Sequence, residues 1–205
     1  MKKILTILLT MLIVFGFTAC GGQNGEDGKT ASKGETYTIT DMAGREVEIP
    51  AETERIAAVN SAARIITYAG AADKLVGVTD LDKKGEPGMP YAYVNKERFE
   101  KLASTGSGGS GDTTYAEELT VLAPDLIFAF SVDAAALDEL SRQTGIPVVG
   151  LYATDMFSDD FFGSLTLVGA VMGTEDQADK VIAAVKGWQK DLNDRGYGLP
   201  RPSWI

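Results

Sequence analysis

The sequence contains no histidine and only one cysteine among its 205 residues. Its own side chains therefore cannot form a cysteine-histidine zinc cluster, a Ser-His-Asp triad or a Cys-His dyad. These absences exclude the commonest designs for hydrolytic catalysis. We expect a protein that is not an enzyme, with no catalytic residue, no metal site of its own and no cofactor.

Basic residues are also scarce, because 19 lysines and arginines stand against 29 aspartates and glutamates, which gives a net charge of -10. Nonspecific binding to nucleic acids depends on lysines and arginines that neutralise phosphates. We therefore expect no nucleic acid partner. The contents of 44% hydrophobic and 23% charged residues are those of a soluble globular protein.

The N-terminus has the pattern of an export signal. Two lysines precede an apolar run from Ile4 to Phe17, and the small residues Thr18 and Ala19 follow it. The run is shorter than the about 20 apolar residues of a membrane-spanning helix. The pattern predicts a signal peptide over residues 1–19.

Cys20 lies directly after the predicted cleavage point. Residues 17–20, Phe-Thr-Ala-Cys, resemble a bacterial lipobox, with Phe17 in place of the usual aliphatic residue. The resemblance implies a lipid on Cys20 that anchors the chain to a bilayer, whereas the alternative is an ordinary secretory signal followed by a chance cysteine. Residues 20–34 are rich in glycine and polar residues, which predicts a flexible linker.

From about residue 35 the sequence alternates between strand and helix patterns. The first two strands form a hairpin that ends at a proline, and the later strands are joined by helices, which indicates parallel pairing. The predicted strands are Tyr37–Thr40, Arg45–Ile49, Arg55–Val59, Lys74–Val78, Leu126–Phe130 and Pro147–Leu151. The predicted helices are Ser61–Ala69, Thr114–Leu122, Ala134–Thr144, Ser158–Met172 and Glu175–Asn193. Between residues 80 and 104 we expect a loop at 85–90 and a helical turn at 97–102.

Five passages of the chain resemble the substrate-binding proteins of bacterial ABC importers, in the class that captures iron-siderophore complexes, haem and cobalamin. Their order along the chain is also that of the family. They are ITDMAGREVEIP at 39–50, RIAAV at 55–59, ADKLVGV at 72–78, EELTVLAPDLI at 117–127 and TGIPVV at 144–149.

The resemblance implies two α/β lobes joined by one long helix, with the ligand in the cleft between them. On this basis we expect a Rossmann-like N-terminal lobe with a central, mostly parallel sheet over residues 35–174. The interdomain helix is then 175–195, and residues 196–205 begin a C-terminal lobe that is otherwise absent from the sequence. Part of the apolar face of the long helix would lack its expected cover.

Candidate ligand-binding residues follow the carboxyl ends of the predicted strands, where open α/β sheets bind ligands. A cation there would pair with a ligand carboxylate or an anionic ferric complex, and a tyrosine would stack on a planar ligand. For each residue the alternative is ordinary surface-loop chemistry. The candidates at the strand ends are Asn60, Ser61, Arg64, Asp80, Ser131 and Tyr152, and two more, Met89 and Tyr91, lie on the intervening loop.

A glycine-rich segment at 106–111 matches the G-x-G-x-x-G dinucleotide pattern. The apolar strand that should precede it is missing, and so is a convincing acidic residue about 20 positions later. We favour a flexible loop at the lip of the cleft, with Ser107 and Ser110 as further ligand candidates.

Asp80, Asp82 and Gly85 match three places of a calcium-binding EF-hand loop, but Lys84 and Tyr91 occupy two other ligand places. Because a cation and a phenol are poor calcium ligands at those places, we expect a solvated acidic loop here instead.

Glu117 matches the family's acidic residue that docks on arginines of the membrane permease. The spacing to Pro124 favours Glu117 over its neighbour Glu118. The alternative is an acidic residue placed favourably in the first turn of a helix.

The leading hypothesis is a lipid-anchored, extracytoplasmic receptor that captures a metal chelate, foremost a ferric siderophore, and delivers it to the permease. Cobalamin and haem remain open as ligands. A haem iron would have only tyrosine, methionine or a carboxylate as a side-chain ligand, because histidine is absent. A lobe that docks without capturing ligand is a further alternative.

Overall fold

A β-hairpin opens the described part of the computed structural model, which covers residues 34–109 and 111–196. Strands β1 (Thr36–Thr40) and β2 (Glu46–Pro50) pair antiparallel, with Ile39 opposite Val47. The predicted hairpin is confirmed, with three of its four strand boundaries shifted by one residue.

The centre of the fold is a five-stranded sheet in which every neighbouring pair is parallel. Its order is β5-β4-β3-β6-β7. The strands are β3 (Ile56–Val59), β4 (Leu75–Val78), β5 (Ala103–Ser104), β6 (Leu126–Phe130) and β7 (Val148–Leu151). The predicted α/β fold with a parallel sheet is therefore confirmed.

Helices cover both faces of this sheet. The helices are α1 (Ala62–Tyr68), α2 (Asp80–Lys84), α3 (Pro90–Tyr93), α4 (Lys96–Phe99), α5 (Ala116–Leu122), α6 (Ala134–Thr144), α7 (Asp159–Met172) and α8 (Glu175–Asp194). All five predicted helices are present, with ends within two residues of those expected. Across the described residues, we find no helix with the length and apolar character needed to cross a membrane.

The core has two parts because successive strand residues point to opposite faces. Ile56 and Ala58 of β3 belong to the cluster that includes α1, α7 and α8, whereas Ala57 and Val59 belong to the cluster under α5 and α6. All four side chains are at most 1% exposed. A strand buried on both faces must be apolar throughout, which explains the uninterrupted apolar pattern of β3.

The long helix α8 has 20 residues, which corresponds to about 30 Å. Only Ala178 and Val185 of this helix are fully buried. Trp188 is 56% exposed and Leu192 is 38% exposed. The second half of the helix therefore presents an apolar stripe to the surface. Residues 197–205, which include the predicted start of another lobe, lie outside the described residues, as do residues 1–33.

Candidate functional site

The five parallel strands end at one edge of the sheet, and the loops that follow them form what we call the rim. Asn60 follows β3, Asp80 begins the helix after β4, Ser131 follows β6 and Tyr152 follows β7. The predicted placement of these four residues at the carboxyl ends of the strands is confirmed. Ser61 also lies here, exposed at the start of α1, and its side chain makes no capping hydrogen bond.

Asn60 has a left-handed backbone conformation, with φ of 57°. Asparagine tolerates this conformation better than most residues. Its side-chain amide donates to Asp112 Oδ2 at 2.7 Å. Asn60 thus connects the end of the central strand to the glycine-rich loop.

The glycine-rich loop between β5 and α5 is held in place by Asp112. The Oδ1 atom of this carboxylate accepts from the Gly108 backbone N–H at 2.7 Å and from the Ser107 hydroxyl at 3.2 Å. Gly108 has φ of 70°, and a Cβ atom there would lie 2.6 Å from Thr79 Oγ1. Glycine is therefore required at this position. Ser107 uses its hydroxyl within the loop, and Ser110 lies outside the described residues.

This geometry removes support from the dinucleotide-binding alternative. The preceding strand β5 has only two residues, and Gly106 forms an isolated antiparallel bridge with Thr114 instead of starting a helix. The Gly108 N–H points at Asp112 and not at an open phosphate site. A phosphate-binding loop needs a strand that leads directly through the glycines into a helix, and that arrangement is not present here.

Asp80 is engaged by its neighbours in the fold. Its carboxylate accepts from the Ser104 hydroxyl at 2.6 Å and from the Tyr115 hydroxyl at 3.1 Å. The bond to Asp80 raises the pKa of Tyr115. Asp80 therefore links the start of α2 to β5 and to the residue that precedes α5.

The placement of Tyr91 on the intervening loop is wrong, whereas Met89 lies in the loop before α3, as predicted. Tyr91 lies in α3, is 8% exposed, and donates its hydroxyl to Asp82 Oδ1 at 2.7 Å. Met89 is half-buried and packs against the core. The loop prediction extended too far because proline at the first position of a helix resembles a proline in a turn, and Pro90 starts α3. A buried ring offers no face to a ligand, so the ligand role of Tyr91 loses support, whereas Met89 stays a candidate.

The expected solvated acidic loop is also wrong, because Asp82 is 1% exposed and lies in a helix. Thr79 and Asp82 form a capping box at the start of α2, and Gly85 ends the helix in a left-handed conformation. Burial raises the pKa of Asp82, against the opposing effect of hydrogen bonds from Thr79 and Tyr91. The EF-hand alternative fails with the loop, and the described residues contain no group of three or more metal-ligating side chains.

Arg64 is a rim candidate whose guanidinium has hydrogen-bonding capacity that the fold leaves unused. It lies on α1, is half-buried, and has its guanidinium carbon 5.5 Å from the centroid of the Phe130 ring. Its Nε atom is buried and has no hydrogen-bond partner in the described part of the chain. No ion pair of Arg64 is found among those residues either.

Phe130 is a rim residue that the sequence analysis missed. It ends β6, is half-buried, and has its ring 6.3 Å from that of Tyr152. The sequence did contain a signal for this residue, because an aromatic residue at the last position of a buried strand lies at the carboxyl edge of the sheet. Arg64, Phe130 and Tyr152 thus form a cluster of one cation and two aromatic rings.

Two cavities open beside this cluster. One, of about 460 Å³, lies between α1, the loop after β7 and α8, and Arg64 and Trp188 contribute to its wall. The other, of about 380 Å³, lies against α6 and is lined by Asn60, Phe130 and Ser131 among others. Arg64 thus borders the first cavity and Phe130 the second.

Glu117 lines neither cavity and is exposed in the first turn of α5, and Glu118 beside it is also exposed. Leu119 is the residue of this turn that packs inward. Both acidic side chains are therefore available at the surface.

Comparisons with known proteins agree with this fold. The family model described as periplasmic binding protein matches residues 56–194. YvrC of Bacillus subtilis (strain 168), an uncharacterized ABC transporter substrate-binding lipoprotein, is 28% identical over 210 residues, which cover 98% of this chain and 62% of that protein.

Two solved structures share the fold at lower identity. The molybdate periplasmic binding protein MolA of Haemophilus influenzae has a TM-score of 0.64 at 21% identity, with 80% of this chain and 55% of that chain covered. The catecholate-siderophore binding protein VctP of Vibrio cholerae has a TM-score of 0.59 at 22% identity, with 77% and 53% covered. The chain thus spans less than two thirds of the length of each of these three relatives.

Proposed function

Because the chain belongs to the periplasmic binding protein family, whose model matches residues 56–194, we propose that it is the solute-capturing component of an ABC importer. The proposed ligand is a metal chelate, foremost a ferric siderophore. The observation that carries this ligand is Arg64, a half-buried guanidinium at the rim with no ion pair in the described residues. The Phe130 ring lies beside it, and the Tyr152 ring lies next to that of Phe130. An anionic complex with aromatic groups complements such a surface. The shared fold of VctP, a catecholate-siderophore binding protein, supports the same class.

Haem and cobalamin are the alternative ligands of the proposed receptor. A titration calorimetry panel tests all three with the full chain in detergent. The panel consists of ferric catecholate, hydroxamate and carboxylate siderophores, haemin and cyanocobalamin. We expect saturable binding of a ferric siderophore. Saturable binding of haemin or cyanocobalamin alone would assign one of the alternatives, and no binding by any member would refute the capture function.

The proposed partner is a membrane permease, and Glu117 is the proposed docking residue. Its exposure on the first turn of α5 leaves the carboxylate free to meet a cationic surface. We expect Glu117→Arg to lower import of the bound ligand in cells severalfold, because like charges then face each other, while the affinity for ligand is unchanged. Glu118→Arg is the matched control, since it adds the same charge one residue away. An equal loss from both variants would remove the preference for Glu117, and a loss of ligand affinity in Glu117→Arg would contradict docking.

We also propose that the receptor is extracytoplasmic and anchored by a lipid on Cys20, after removal of residues 1–19. The lipoprotein name of the Bacillus subtilis relative supports this anchor. In this organisation residues 20–34 are the linker, residues 35–174 the ligand-binding lobe and residues 175–195 the interdomain helix. The intact mass of the chain extracted from membranes tests the anchor, because a lipid adduct on a chain that begins at Cys20 is expected.

A further inference from the structure

Val121 has the most exposed large hydrophobic side chain in the described part of the chain, with 84% of its surface accessible. It lies in α5, where a β-branched residue is a poorer helix former than alanine. At this exposure the side chain also adds little packing to the core. Single exposed apolar residues are common on protein surfaces, so a role for Val121 depends on what surrounds it.

Glu117 is the neighbour that gives Val121 a context. It lies four residues earlier in α5, so the two side chains share one side of the helix, about 6 Å apart along its axis. Glu117 is exposed and forms no ion pair with any of the described residues. We call these two side chains the docking face. It presents a carboxylate and an apolar group side by side at the surface.

The fold fixes α5 on its inner side and at both ends. Leu119 is fully buried beneath the helix. Before the helix, the Tyr115 N–H donates to the Thr105 carbonyl at 2.9 Å, and at its end Arg55 Nη2 donates to the Leu122 carbonyl at 2.8 Å. A surface that is already fixed in place loses little conformational freedom when a partner binds. The docking face is therefore suited to a partner of complementary charge and shape.

On the basis of the permease docking proposed above, we propose that Val121 is the apolar contact of that interface. The partner is then a permease surface that presents an arginine to Glu117 and an apolar pocket to Val121. The two contacts act differently. An exposed charge pair steers the approach of the partners and is screened by salt. An apolar side chain that is removed from water slows dissociation, and salt does not screen this effect.

The test measures photo-crosslinking of the lipidated full chain in right-side-out membrane vesicles from cells that express it. The photoreactive residue p-benzoylphenylalanine replaces Thr120, which is exposed beside Val121. After irradiation, mass spectrometry identifies the crosslinked protein, and we expect an ABC permease. The crosslink yield should fall about 5- to 10-fold in Val121→Ser, as expected when part of the burial of a valine side chain is lost.

Two further variants separate docking from folding. Val121→Ala improves the helix propensity but removes two methyl groups, so the crosslink yield should fall while the melting temperature does not. Val94→Ser is the matched control, because Val94 is 75% exposed at the end of α3, and its yield should not change. Raising NaCl from about 0.05 M to about 0.5 M should abolish the effect of Glu117→Gln, whereas the fold-loss in Val121→Ser should persist.

The outcomes separate this contact from the docking function. An unchanged yield in Val121→Ser, an equal loss in Val94→Ser, or a loss in Val121→Ala that accompanies a lower melting temperature would overturn the apolar contact while docking stands. A Val121→Ser effect that disappears at high salt would overturn it as well. An unchanged yield in Glu117→Gln at low salt would overturn Glu117 as the docking residue. Absence of an ABC permease among the crosslinked proteins would overturn the docking function itself.

Discussion

Replacing Asp41 by alanine should destabilise the protein strongly, because this carboxylate ties the hairpin to the parallel sheet. Its side chain is fully buried in an ion pair with Arg45, at 2.7 Å. It also accepts from the backbone N–H groups of Ala43, Arg45 and Gly150, at 2.9 to 3.0 Å. The substitution leaves these N–H groups and the guanidinium without their acceptor inside the fold.

Breaking a buried ion pair from one side costs about 3–5 kcal/mol. For a folded unit of this size, each kcal/mol lowers the melting temperature by about 2–4 °C, so we expect a decrease of about 6–20 °C. Asp138→Ala is the matched control, because Asp138 pairs with the same arginine but is 71% exposed. A pair at such a surface contributes about 1 kcal/mol or less.

Thermal and urea denaturation, each followed by circular dichroism at pH 7, measure the melting temperature and the free energy of unfolding of both variants. The expected result is a loss in Asp41→Ala at least three times that in Asp138→Ala. Equal losses would refute the reasoning, because they would show that burial and the backbone hydrogen bonds of Asp41 contribute nothing. A loss below about 1 kcal/mol in Asp41→Ala would refute it as well.

Two further predictions concern the buried carboxyl group of Asp82 and the glycine-rich loop. Because the pKa of Asp82 is raised, the folded state binds the proton of this carboxyl group more tightly than the unfolded chain does. The protonated Asp82 therefore contributes its full stabilisation below the ordinary pKa of 3.8, and this contribution is lost as pH rises through the raised pKa. The free energy of unfolding of the unchanged protein, measured relative to Asp82→Asn, should therefore fall between pH 4 and pH 7; a rise over that interval would contradict the buried placement. Gly108→Ala should lower stability and ligand affinity, because its Cβ atom would lie 2.6 Å from Thr79 Oγ1. Gly111→Ala has a similar φ of 76° but open space, so an equal effect would show that backbone strain and not the clash is responsible.

The regular elements of the fold were predictable because the longer helices have a clear helical period and the buried strands are short apolar runs. The apolar run of β6 and the 11 residues of α6 are found at the predicted positions. Residues 80–104 were not predictable in detail, since α2, α3 and α4 have only four or five residues each and show no period. What defines this region is the buried contact between Tyr91 and Asp82, nine residues apart, which no local pattern reveals.

The candidate site was predictable in its location but not in its composition. The rule that ligands bind beyond the carboxyl ends of parallel strands correctly placed Asn60, Arg64, Ser131 and Tyr152 at the rim. It could not show that Asp80 and Ser107 are engaged by other side chains, because those hydrogen bonds depend on how the loops meet in space. It also passed over Phe130, although the predicted strand ends at this residue, because the rule was applied only to the residues that follow each strand.

The attachment of the hairpin also protects an edge of the sheet. Strand β7 is an edge strand, and such strands offer unpaired backbone groups to other chains. Here the Gly150 N–H donates to Asp41, the Gly150 carbonyl accepts from the Met42 N–H at 3.1 Å, and the Val148 carbonyl accepts from Arg45 at 2.6 Å. At the opposite edge of the sheet, β5 has only two residues whose backbone groups could pair with another strand. The hairpin therefore occupies backbone groups of β7, which is the longer of the two edge strands in the described sheet. This contact protects β7 from pairing with a strand of another copy of the protein.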